Sequence, residues 1–183
     1  MSAFNRRGGW VWWLLVAAVV APADVGLFEL PNYYEYSPTL MSSGQPARDQ
    51  FAAIRAAGVE LVINLAPVTD PTALPDEQAI VTALGMDYQH LPVDWKQPAA
   101  VDLGRFFAAM NRSGKRRVLV HCYAGSRASA FVFLYRVRER GAEVTAARAT
   151  LNQIWNNNPG YELERVPQWA RFIDAALAAT PAG

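Results

Sequence analysis

Residues 118–129 read Val-Leu-Val-His-Cys-Tyr-Ala-Gly-Ser-Arg-Ala-Ser, and the run holds the only cysteine of the 183-residue chain, Cys122. An apolar stretch ends at the pair His121-Cys122. A short loop containing Gly125 follows, then Arg127, and then a segment with helical periodicity. The chemistry this arrangement can do is narrow. Backbone N–H groups at a helix start favour negative charge, which can lower a thiol pKa and seat an oxyanion at one place. An arginine beside them can grip that anion with two parallel donors. A lone cysteine is otherwise most often a small buried hydrophobe, but the His-Cys and arginine context points to a reactive thiol.

The spacing resembles the cysteine-dependent phosphatases, whose signature is His-Cys, five residues, then Arg followed by Ser or Thr. Here Tyr123, Ala124, Gly125 and Ser126 alone separate Cys122 from Arg127, and Ala128 pushes the hydroxyl to Ser129. The contracted loop looks like that of the bacterial beta-lactamase-hydrolase-like phosphatases. It is also the loop length of rhodaneses, which carry sulfur as a cysteine persulfide. The phosphatase resemblance implies that Cys122 attacks phosphorus and forms a phosphocysteine. It implies a phosphate-binding loop of His121, Tyr123, Ala124, Gly125, Ser126 and Arg127, whose amides and guanidinium stabilise the equatorial oxygens. His121 would shape that loop and support the thiolate. Ser129 would be auxiliary, bonding the sulfur or assisting breakdown of the intermediate, although one extra residue turns it by about 100° around a helix.

The same resemblance implies a proton donor. In the compact dual-specificity branch a loop aspartate follows a strand roughly thirty residues before the cysteine. Asp94 stands 28 positions upstream of Cys122, within Pro-Val-Asp-Trp, directly after an expected strand. A positioned acid of this kind is worth about a hundredfold or more in rate. Asp102 competes, but its place at a helix start suits N-capping. Asp87 lies at the wrong end of its strand. Two other readings stay open: a rhodanese-type sulfurtransferase, and a non-catalytic module that binds anions or a partner. Against the first, the chain has no Asp-x-Arg and no Gly-His-Ile-Pro-Gly stretch upstream of the loop.

The elements that must position these residues follow from periodicity. Strands are expected at Thr39–Ser43, Val59–Leu65, Met86–Val93 and Arg117–His121, the last leading into the cysteine loop. Helices are expected over Pro46–Ala57, Pro75–Leu84, about Val101–Met110, Arg127–Arg140, Val144–Trp155 and Val166–Ala179. Leu27–Ser37, rich in Tyr and Pro, reads as an arm lying across the domain. Alternation of this kind specifies an α/β fold with a central, mostly parallel sheet of about four to five strands flanked by helices. Such a sheet places the cysteine loop at the carboxyl ends of its strands, where ligands bind.

Composition bounds the rest. The hydrophobic fraction of 52% supports a single core, and 17 Lys+Arg against 16 Asp+Glu gives no electrostatic case for nucleic acid. With two histidines and one cysteine no metal cluster is visible, and there is no dinucleotide fingerprint, so no cofactor is expected. Arg6 and Arg7 precede an apolar run from Trp10 to Ala21, followed by small residues. This is the layout of a signal peptide over residues 1–23, with the phosphatase-like domain at 24–183 and a periplasmic or secreted location. Membrane attachment would require that segment to be retained. The expected partner is a phosphorylated small molecule or protein substrate; nothing in the sequence fixes the oligomeric state.

Overall fold

The computed structural model describes residues 26–179, so the expected leader lies outside the described residues. Its strands are β1 (Tyr34–Ser37), β2 (Leu40–Ser43), β3 (Leu61–Asn64), β4 (Asp87–His90) and β5 (Val118–His121). They form one sheet in the order β1-β2-β5-β3-β4. The β2/β5, β5/β3 and β3/β4 pairs are parallel, and β1 alone is antiparallel, paired with β2. Every residue of β2, β3 and β5 is buried, and β3 and β5 accordingly carry three consecutive apolar residues instead of alternation.

The pleat nevertheless sorts their side chains to two faces. Leu61, Ile63, Val118 and Val120 pack beneath α3 (Ala100–Ser113), α4 (Ser126–Arg140), α5 (Val144–Asn156) and α6 (Pro167–Ala178). Val62 and Leu119 face α1 (Gln50–Ala56) and α2 (Glu77–Ala83), together with Leu27 and Leu30 of the arm. Helix α4, which leaves the cysteine loop, is buried at every position from Ser126 to Tyr135. It is wedged between the sheet and the other helices, so its apolar residues surround it where a surface helix would carry a stripe. Gly141, in the left-handed conformation at φ 67°, ends it.

The sheet has the expected class, and its strand ends gather the β5–α4, β3–α2 and β4–α3 loops on one side. Two local expectations are corrected. Tyr34–Ser37 is not only an arm: it turns back at Pro38-Thr39 and pairs with β2, with a bulge between Glu35 and Ser37. The helix expected from Pro46 starts at Gln50, after a turn in which the Gln50 N–H donates to Ala47 O at 3.0 Å and Gln50 Oε1 accepts the Ala47 N–H at 2.8 Å.

Candidate active site

Cys122 is the first residue beyond β5, and its N–H donates to Ser43 O at 3.3 Å, extending the β2/β5 ladder by one rung. Three residues on, Gly125 takes φ 90°, and a Cβ there would lie 2.9 Å from the Cβ of Asn32. Only glycine meets both demands. That turn brings the Gly125 N–H to 3.2 Å from Cys122 Sγ, a hydrogen bond that fixes the sulfur against the loop. Helix α4 begins at the next residue, so its N-terminus adds positive field at the same point. Cys122 is only 2% exposed, yet it opens onto a cavity of about 250 Å³ lined also by Tyr123, Ala124, Ser126 and Arg127.

Arg127 is fixed by three elements. Its Nη1 donates to Val93 O at 2.8 Å and to Leu65 O at 3.4 Å, carbonyls beyond β4 and β3. Its Nη2 pairs with Asp70 in the β3–α2 loop, and Trp95 lies against the guanidinium with its ring centre 5.9 Å away. Nε alone is buried without a hydrogen-bond partner. A buried donor left unpaired costs about 1–3 kcal/mol, so the guanidinium keeps an unused donor for an acceptor.

Beneath the loop lies a buried polar network. His121 Nε2 stands 2.9 Å from Glu77 Oε1, the first residue of α2, and Asn64 Nδ2 donates to the same oxygen at 2.9 Å. Gln45 Nε2 donates to the other oxygen. Burial by itself would raise the Glu77 carboxyl; the bond and charge of His121, with hydrogen bonds from Gln45 and Tyr88, outweigh it and hold the group below the ordinary glutamate range. His121 thus sits behind Cys122 and does not line the cavity.

Two expected roles are not met by this geometry. Ser129 does not reach the sulfur: its hydroxyl donates to Ser126 O at 2.9 Å and accepts from Trp155 Nε1 at 3.1 Å, locking α4 to α5. The extra residue has turned it into the core. Asp94 does not line the cavity: it is exposed, and its Oδ1 caps the turn by accepting the Lys96 N–H at 2.7 Å. Its neighbours Val93 and Trp95 do contact Arg127, so Asp94 stands at the cavity rim. The carboxylate that lines the cavity is Asp70, with Pro71, Trp95 and Tyr161, none of which the sequence singled out. Among the competitors, Asp102 makes no N-cap bond and pairs with Arg105 at 3.6 Å, while Asp87 pairs with Arg116. His90 bonds Ala66 O at 2.7 Å and is structural.

The model of the phosphatase-like domain of beta-lactamase hydrolase-like proteins matches residues 33–138. The chain belongs to that family. Two beta-lactamase hydrolase-like proteins from strains of Xylella fastidiosa are 29% identical over 137 residues and 30% identical over 135 residues. The matches cover 72% and 71% of this chain and 30% of each relative, so the chain corresponds to under a third of their length. A crystal structure of a candidate phosphatase from Shewanella putrefaciens is 37% identical and superposes with a TM-score of 0.73, covering 84% of this chain and 94% of the other. TpbA of P. aeruginosa superposes at 0.61 with 21% identity, covering 79% and 84%, a likeness of fold. In this beta-lactamase hydrolase-like phosphatase domain the contracted loop is therefore set in a cysteine phosphatase fold, with the cysteine at the end of the central strand.

Proposed function

We propose that the protein is an exported phosphatase that hydrolyses phosphomonoesters through a phosphocysteine on Cys122. The observation that carries this reading is one cavity holding a sulfur that already accepts an N–H, and a clamped arginine whose Nε still lacks an acceptor. The Cys122 thiolate attacks phosphorus as the ester P–O bond breaks, and Arg127 with the loop amides holds the equatorial oxygens. The leaving oxygen takes a proton from Asp94. Water then attacks phosphorus, Asp94 takes back a proton, and the S–P bond breaks to release inorganic phosphate and the thiolate.

Asp94 is assigned the acid in preference to Asp70 because Asp70 is already engaged with Arg127. Asp94 reaches the leaving oxygen by releasing its side-chain bond to the Lys96 N–H, consistent with acid contacts that tighten only when substrate binds. Export is supported by the charged and apolar pattern of residues 1–23.

The test offers purified protein an aryl phosphate and, separately, thiosulfate with cyanide, beside Cys122→Ser. Phosphate release that vanishes in the variant is the expected result. Thiocyanate formation would establish the sulfurtransferase reading instead, and oxyanion binding without turnover of either would establish a binding module.

A further inference from the structure

We propose that Asn32 and Asn158 are positioning residues that turn the Ala124–Gly125 peptide so that its N–H meets the Cys122 sulfur. The inference rests on the assignment of Cys122 as nucleophile and adds how its loop is oriented.

In a trans peptide the carbonyl and the N–H of one plane point in opposite directions, and none of the described peptides is cis. The Ala124 carbonyl receives two side-chain amides, Asn32 Nδ2 at 2.9 Å and Asn158 Nδ2 at 3.2 Å. The other end of the same peptide is the Gly125 N–H, which donates to Sγ. Fixing the carbonyl on the outside therefore fixes the donor on the sulfur. The preceding peptide is held alike, since Tyr123 O accepts the Gln45 N–H at 3.0 Å. Asn158 Nδ2 also lies 3.2 Å from Ser126 Oγ, tying the first residue of α4 into the brace.

The two asparagines come from opposite ends of the fold. Asn32 belongs to the arm ahead of β1, and Asn158 to the break after α5. Asn32 is the only described non-glycine residue at positive φ, 49°. Asparagine tolerates that region better than other side chains, but the conformation still costs, and such strain persists where its surroundings over-determine it. Here Pro31 O accepts the Gly44 N–H at 2.5 Å, and Leu30 O accepts the Tyr33 N–H at 3.2 Å, pinning the backbone on both sides of Asn32. A Cβ on Gly125 would lie 2.9 Å from Asn32 Cβ, so there is no room for a side chain at 125. Arm and loop are fitted to each other. Without the two amides, a flip of this single peptide plane would take the donor off the sulfur.

The test uses Asn32→Gly, which keeps access to the left-handed backbone while deleting the amide, Asn158→Ala, and the double variant. Because Cys122 is the only cysteine, the rate of its alkylation by iodoacetamide against pH reports on it alone. The half-maximal point should move up in the double variant and by less in each single. The acidic limb of kcat/KM should move with it, and kcat should fall more than KM rises. Unmoved alkylation profiles, with or without a lowered melting temperature, would overturn the proposal, since a merely structural role predicts that result. Should the double variant not fold, the singles carry the same readout. Alkylation does not depend on phosphate turnover, so failure of the phosphatase reading would remain distinguishable.

Discussion

The floor and the rim of the cavity are held in opposite ways. On the floor, Cys122, Gly125 and Arg127 are buried and tied by bonds to β2, β3, the β4 end and α4. On the rim, Asp94 is exposed on its loop, and Asp70 reaches Arg127 from the β3–α2 loop. The floor carries charge stabilisation, which works only when donors are fixed before the substrate arrives. In the proposed mechanism the rim supplies the proton, which must meet a leaving group that differs from substrate to substrate. Rigid elements supply the first and loops supply the second.

Breaking the floor should have the largest effect. Arg127→Lys keeps a positive charge but loses the planar fork, so kcat/KM on an aryl phosphate should fall about 10²–10³-fold. A loss under tenfold would mean that the amides suffice without the clamp. On the rim, Asp94→Asn should slow esters with poor leaving groups about a hundredfold and barely affect good ones. A loss independent of leaving-group pKa would remove Asp94 from the acid role.

Asp70→Asn sharpens the contrast further. With no carboxylate sharing the guanidinium, inhibition by tungstate or phosphate should tighten several-fold, while kcat falls less than about tenfold. If the leaving-group dependence appeared in this variant instead, Asp70 would be the acid. The smallest effect lies beneath the floor. Glu77 has a folded-state carboxyl held low, so its contribution to stability is present above its unfolded value, about 4.3, and is lost as pH falls through the folded one. The gap in melting temperature between wild type and Glu77→Gln should therefore narrow on acidification below about pH 4.3. A gap that stays constant with pH would show that Glu77 acts through shape and not through charge.

The floor was legible in the sequence because it is contiguous. A buried strand, a glycine turn and a helix start place nucleophile and clamp within one short run, and the alternation of elements specifies the sheet that holds them. Its partners were not legible, because they arrive from far along the chain. Asp70 lies 57 residues from Arg127, Glu77 44 from His121, and Asn32 92 from Ala124. Nothing local distinguishes Glu77 from any acidic residue at a helix start, or Asn32 from an ordinary turn asparagine. Ser129 was misread for a related reason: its hydroxyl is the type the chemistry wants, but the helix turns it toward Trp155. Asp94 stands on the loop where it was expected but does not line the cavity, and the capping bond to Lys96 that holds it outward is invisible before the loop is folded.

The central claim is that the sulfur of Cys122 becomes phosphorylated during turnover. Rapid acid quenching of the enzyme with an aryl phosphate, followed by peptide mass spectrometry, reads this directly. The peptide containing Cys122 should gain one phosphoryl group in wild type, accumulate more of it in Asp94→Asn with a good leaving group, and gain none in Cys122→Ser. Phosphate release at full rate with no modified peptide, or with the variant still active, would contradict the account.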